Sequence, residues 1–296
     1  MTVLIPAELE GTRADKAVAV LAGVSRSRAR RWIEDGRVRV DGQRVAPSDA
    51  VAAGSRVEFP DPADDELAPE PVDFDVVYED DQLLVVDKPP GLVVHPGAGR
   101  TSGTLAAGLL HRYPELEGVG EPGRWGIVHR LDKDTSGLLV VARTADAFGT
   151  LRRDLRARRI RRRYLALVTG TMPARRGTID APLGRDPSRP TRRAVVPDGK
   201  PAVTHYRVVE EWPDVSLLEV ELETGRTHQI RVHLAAIGHP LVGDTVYGRP
   251  GPTRIFLHAS GIELPHPADR RPLTFESPLP ADLRSVLHAK NQDANR

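Results

Sequence analysis

Residues 126–143, GIVHRLDKDTSGLLVVAR, hold the densest polar cluster of the chain between two apolar segments. The second half, GLLVVA at 137–142, is a short unbroken apolar run. Such a run predicts a strand buried on both faces. The first half places His129, Arg130, Asp132, Lys133 and Asp134 in a loop that feeds this strand. A carboxylate at a strand entrance beside two cations is placed to be ionised and reactive. The same composition also suits a tight turn whose aspartates cap backbone amides. A paired-carboxylate hydrolase built on Asp132 and Asp134 is not expected. Ser136-Gly137 does not make a GxSxG nucleophile elbow either.

A second cluster lies at 224–233, TGRTHQIRVH, where Arg226, His228, Arg231 and His233 fall close together. Residues 227–237 are read as helical. On such a helix Thr227 and Arg231 share a face at i,i+4, and Ile230 and Leu234 pack while Arg231 points inward. A buried arginine needs a carboxylate, and Asp132 is the candidate. His228 and His233 are five apart, which is not the HExxH zinc spacing, and the chain has no cysteine. No metal site is therefore expected. Tyr164 follows an arginine run at the start of a predicted strand, 163–169, where it can stack on a base or serve as a core or edge residue. Tyr247 is read as structural.

Outward from these clusters, residues 13–21 and 25–34 have helical spacing, with Ser25 as N-cap of the second helix. VRVDGQRV at 38–45 alternates around Asp41-Gly42, a strong hairpin signal. The result is a small α+β module carrying Arg26, Arg28, Arg30 and Arg31. A Pro- and acid-rich linker follows. Strands are predicted at 75–78, 83–87, 203–210 and 215–223, and helices at 104–112 and 144–159. Leu92–His95 is read as extended, 113–124 as loop and NQDANR at 291–296 as a frayed end. Many short strands with few helices between them predict an α+β second domain with a large mixed, mostly antiparallel sheet.

Net charge is +1, from 42 basic and 41 acidic residues, and by itself says nothing of nucleic acid. The distribution says more. Residues 152–163 carry eight arginines and one aspartate, whereas residues 61–80 carry nine acids and no base. That segregation predicts a basic face for phosphate and an acidic linker. Residues 185–200 are also rich in arginine. No GxGxxG stands before a helix and no GxxxxGK[ST] occurs, so a nucleotide cofactor is not expected. No signal peptide or membrane span is evident, and a cytoplasmic protein is expected.

Long stretches of the chain resemble the RluA/RluD-type pseudouridine synthase family. SRSRARRWIEDGRVRVDG (25–42) is similar to an S4 RNA-binding domain. DQLLVVDKPPGLVVHPGAG (81–99), GIVHRLDKDTSGLLVVAR (126–143), RRRYLALVTG (161–170), ETGRTHQIRVHLAAIGHPLVGDTVYG (223–248) and LHASGIELPHP (257–267) resemble successive motifs of the catalytic domain. The resemblance is strongest to the large-ribosomal-subunit branch. It implies an S4-like domain at 1–60, a linker at 61–73 and a catalytic domain at 74–292. It implies isomerisation of uridine to pseudouridine in a structured RNA, 23S ribosomal RNA first, with other ribosomal sites or a tRNA as the alternative. A ribosome-assembly factor that only binds RNA is the other alternative. The same resemblance makes Asp132 the catalytic aspartate and Arg231 its basic partner. It makes Tyr164 the residue stacked on the target uracil, Arg130 the residue that fills the gap left in the RNA stack, and Ile230 a wall of the pocket. No cofactor is implied, and a monomer is expected.

Overall fold

A computed structural model describes residues 1–62, 67–97, 102–121, 123–251 and 253–294. Part of the expected linker, 63–66, and the end of the LVVHPGAG stretch, 98–99, lie outside the described residues. The chain divides into two compact units, Met1–Ala68 and Pro69–Arg296.

In the first unit, α1 (Ala14–Ala22) and α2 (Arg26–Glu34) pack beside a four-stranded antiparallel sheet. Its strands are β1 (Thr2–Leu4), β2 (Arg39–Val40), β3 (Gln43–Arg44) and β4 (Arg56–Glu58), in the order β1-β4-β2-β3. The Ser25 side chain accepts from the Arg28 amide and caps α2. Asp41 and Gly42 both have positive φ, 49° and 76°, as a two-residue hairpin turn between β2 and β3 requires. Trp32 is fully buried and stacks on Phe59 with ring centroids 6.4 Å apart. The apolar side of α2 thus holds the core, and its arginines take the outer side.

The second unit is built on β5 (Asp75–Glu79), β6 (Leu83–Lys88), β7 (Ser136–Ala142), β8 (Arg161–Thr169), β9 (Arg176–Asp180), β12 (Val203–Glu211), β13 (Val215–Leu222), β14 (Leu257–Pro265) and β15 (Pro272–Glu276). The order is β5-β6-β7-β14-β8-β13-β12-β9, with β15 on β14. Among the described residues every pairing in this sheet is antiparallel except β7 with β14. A separate hairpin joins β10 (Leu183–Arg185) to β11 (Arg193–Val195). Every residue of β7 is buried, as its unbroken apolar run predicts. Gly137, φ 110°, is obligatory there: a Cβ would lie 2.3 Å from the Ala259 carbonyl oxygen on the neighbouring β14.

Helices α3 (Leu105–Arg112) and α4 (Ala145–Arg156) begin at Thr104 and Thr144, whose side chains accept from the amides of Ala107 and Ala147. The expected loop at 113–124 contains a single 3-10 turn, Pro114–Leu116. Leu92–His95 does not form a strand; Val93 makes one bridge, to Thr104. The C-terminus is not frayed over its described length. Helix α6 (Ala281–Ala294) reaches through it, and Trp212 Nε1 donates to Asn291 Oδ1 at 3.0 Å. No helix among the described residues is long and apolar enough to cross a membrane.

Candidate active site

Asp132 sits in the turn that enters β7, where the Thr135 amide donates to its carbonyl. Two cations fix this loop through backbone carbonyls rather than carboxylates. Lys88, at the end of β6 and fully buried, donates from Nζ to the carbonyls of Lys133, Leu92 and Pro89 at 3.0, 2.9 and 2.8 Å. Arg254 donates to the Asp134 carbonyl at 3.0 Å and is itself oriented by Asp282 of α6 at 2.7 Å. The backbone is thereby held while the Asp132 side chain stays free of the structural load. Burial lowers the Lys88 ammonium from 10.5 to about 7.

Across the cavity, α5 (Gln229–Ala236) begins two residues later than the sequence suggested. Thr227 is outside it, so the expected i,i+4 pair with Arg231 does not form. The cause is His228, which occupies the N-cap position in the left-handed conformation, φ 58°. Gln229 ties this entry to the sheet. Its Oε1 accepts from the Thr224 hydroxyl and the Arg226 amide, and its Nε2 donates to Val203 O and Thr204 Oγ1. Ile230 and Leu234 are buried, which turns Arg231 toward Asp132.

Arg231 Nη1 donates to Asp132 Oδ2 at 3.3 Å, yet its main partner is Asp244. Nε and Nη2 donate to the two Asp244 oxygens at 2.8 and 2.9 Å, a bidentate pair. Asp244 is 1% exposed and also accepts from the amides of Val246 and Tyr247. Burial works against its charge, but Arg231 and these amides outweigh it and hold the carboxyl below its usual range. Burial likewise opposes the Arg231 charge, and Asp244 overcomes it. The guanidinium is thus anchored from one side and offers its remaining edge to Asp132. Sequence reasoning missed Asp244. The signal was available: it is the one acid in the apolar stretch LVGDTVYG, and a buried guanidinium has more donors than one exposed carboxylate can satisfy. Lys88 was missed as well, although period-2 alternation puts it on the buried face of β6 with Leu84 and Val86.

Asp132, Arg130, Tyr164, Ile230 and Arg231 all line one cavity of about 500 Å³. Eight arginines and two carboxylates contribute to its walls, a balance suited to a polyanion. Tyr164 is buried, which raises its phenol pKa and keeps it neutral. Arg130 is exposed at the rim and is shared, with Asp132, His228 and Arg231, by an adjoining cavity of about 520 Å³. Tyr247, read from sequence as structural, lies against the site. Its ring is 5.1 Å from the Arg231 guanidinium carbon and edge-on to His228. Among the described residues no group of three His, Cys, Asp or Glu side chains is placed to hold a metal ion.

The arginine-rich run at 152–163 is less available to phosphate than its density suggests. Arg152, Arg158, Arg159 and Arg163 pair with Glu121, Glu223, Asp154 and Glu276, while Arg162 is buried and donates to the carbonyls of Leu222 and Thr224. In the first unit, Arg26 pairs with buried Asp15 at 3.0 Å and Arg30 with Glu34 at 2.8 Å. Arg28 lies over the Trp32 ring, and Arg31 is exposed. These four arginines belong to the first unit and the cavity residues to the second.

Residues 82–236 match the RNA pseudouridylate synthase family, and residues 12–57 match the S4 domain. The chain belongs to the RNA pseudouridylate synthase family. It is similar to ribosomal large subunit pseudouridine synthase D of Nitrosomonas europaea, at 47% identity over 300 residues, covering 96% of this chain and 86% of the relative. The protein of the same name from Pseudomonas aeruginosa is 46% identical over 98% of this chain and 95% of its own length. An uncharacterized RNA pseudouridine synthase of Chloroflexus aurantiacus is 50% identical over 96% and 92%. Among solved structures, human RNA pseudouridylate synthase domain containing 1 aligns with a TM-score of 0.57 at 29% identity, over 74% of this chain and 95% of its own. The mostly antiparallel sheet, with the HRLDKDTSG loop at its centre, is therefore that of an RNA pseudouridylate synthase.

Proposed function

We propose that this synthase converts uridines of the large-subunit ribosomal RNA, 23S, to pseudouridine, with Asp132 as its catalytic carboxylate. The observation that carries the reading is the unequal sharing of Arg231. Asp244 anchors the guanidinium, which leaves Asp132 beside a fixed cation at the wall of an arginine-lined cavity. The large-subunit target is supported by the names of the relatives above and by their coverage of nearly the whole chain.

The reaction breaks the bond from uracil N1 to ribose C1′, turns the base and joins C5 to C1′; C5 loses its proton and N1 takes one up. A base inside a helix must first leave its stack. Arg130, exposed at the rim, fills the vacated place. Tyr164 stacks on the extruded uracil, which is worth about 1–3 kcal/mol, and Ile230 closes the wall beside it. Asp132 acts ionised, next to Arg231. Uracil departs as an anion, and Arg231 lies within the same cavity to offset that charge.

Residues 1–60 serve as the RNA-binding domain, 61–73 as an acidic tether and 74–292 as the catalytic domain. Arg26, Arg28, Arg30 and Arg31 contact phosphates and position the RNA without reading its sequence. The protein works as a monomer in the cytoplasm. Pseudouridine mapping of ribosomal RNA and tRNA tests the reading, in cells lacking the gene and complemented with wild type or Asp132→Ala. Loss at a defined set of large-subunit uridines, restored by wild type alone, is expected. A map unchanged by the deletion would reject the assignment.

A further inference from the structure

His228 has no part in the chemistry above, yet it lines both cavities and its Nε2 lies 4.0 Å from Asp132 Oδ2. Its protonation state follows from a chain of hydrogen bonds. The Arg193 backbone amide donates to the Tyr247 hydroxyl oxygen at 3.0 Å. A backbone N–H is always the donor, so the Tyr247 oxygen accepts there, and its own single proton needs another acceptor. His228 Nδ1, 2.9 Å away, supplies it. Nδ1 therefore carries a lone pair, and the ring proton sits on Nε2, facing Asp132. The opposite tautomer would point a lone pair at the carboxylate and leave the phenol proton unbonded. Burial favours the neutral ring and opposes the pull of Asp132 toward protonation.

Resting on the reading of Asp132 as the catalytic carboxylate, we propose that His228 is a positioning residue: held as the Nε2–H tautomer by Tyr247, it directs a donor at Asp132 Oδ2. Arg231 Nη1 is 3.3 Å from the same oxygen, so both donors face one edge of the carboxylate, with His228 Nε2 at 4.0 Å, and Oδ1 is left for the substrate. The contact shortens when RNA closes the site, as catalytic hydrogen bonds do between free and bound enzyme. The far end of the chain is an amide of β11, so the fold sets the tautomer rather than a titrating neighbour. This role also accounts for a histidine in left-handed backbone, a conformation uncommon for non-glycine residues.

Two substitutions separate positioning from backbone strain. Asparagine accepts positive φ readily but is too short to place a donor near Asp132. Glutamine reaches the Nε2 position but fits the backbone less well. With full-length enzyme and a protein-free large-subunit RNA transcript, His228→Asn is expected to lower kcat by about a hundredfold, the scale of a 1 Å misplacement, with KM within about twofold. His228→Gln should recover most of that loss despite the poorer backbone fit. Independently of any substrate, the ¹⁵N spectrum of His228 in the full chain should show Nδ1 bare and Nε2 protonated, and Tyr247→Phe should mix the tautomers. Asn performing as well as Gln, a loss confined to KM, or a proton on Nδ1 in the wild type would each overturn the role. A wild type that forms no pseudouridine would instead overturn the underlying reading, and the ¹⁵N spectrum would still decide the state of His228.

Discussion

Asp132 and Asp244 meet the same guanidinium on unequal terms. Asp244 grips it with both oxygens and is 1% exposed, while Asp132 touches it once, at 3.3 Å, and is 20% exposed. One carboxylate is structural because it is fully occupied, and the other can react because it is not. A buried arginine with a single carboxylate partner would have to choose between holding the fold and serving the chemistry. With two, it is free to do both.

Removing either acid should break a different property. Asp132→Asn is expected to abolish turnover, by at least about a thousandfold as for other catalytic carboxylates. Melting should move little, because Arg231 keeps its bidentate pair with Asp244 and loses only a single 3.3 Å contact; kinetics and thermal unfolding on one preparation check both. Asp244→Asn should do the reverse first. It leaves a buried guanidinium short of charge, a defect worth about 3–5 kcal/mol in stability, read by urea denaturation. An Asp244→Asn protein as stable as wild type would dissolve the contrast.

The acid limb of stability sharpens it. Asp244 has a folded pKa held below its unfolded value near 3.9. Its stabilisation is therefore complete above that value and is lost as pH falls through the folded pKa. Denaturation series below pH 4 should show a shallower loss in Asp244→Asn than in wild type. Lys88 gives the opposite window. Its pKa falls from 10.5 to about 7 on folding, so the unfolded chain binds the extra proton between these values. Stability should rise with pH from about 7 to 10.5, and Lys88→Met should flatten that rise. The smallest effect is expected in the first unit. Replacing Arg30 and Arg31 by Gln should weaken RNA binding uniformly across sequences and reduce the salt slope by about 1 per lost phosphate contact.

Asp132, Arg231, Tyr164, Arg130 and Ile230 were named through short local motifs that resemble the family's, and the structure sets all five on one cavity. The buried strand β7, the Ser25 cap and the Asp41-Gly42 hairpin were legible because their signals are local. Strands β9, β14 and β15 and helix α6 were not, since their patterns are brief or broken by Pro and charged residues and only pairing with distant strands defines them. Asp244 escaped because Arg231 already had Asp132 as a candidate partner, and Arg254 because its partner is remote in sequence. Arg254 sits 120 residues from the carbonyl it fixes. Charge density at 152–163 was a partial guide: Arg152, Arg156, Arg158 and Arg162 line the cavity, but counting arginines does not count the carboxylates that the fold sets beside several of them.

The most direct measurement is release of tritium from RNA carrying [5-³H]uridine, since C5 must lose its hydrogen when it bonds to the ribose. Wild type should release label in step with pseudouridine formed, and Asp132→Asn should release none above background while keeping its fold and its RNA affinity. Release by Asp132→Asn at the wild-type rate would contradict the account.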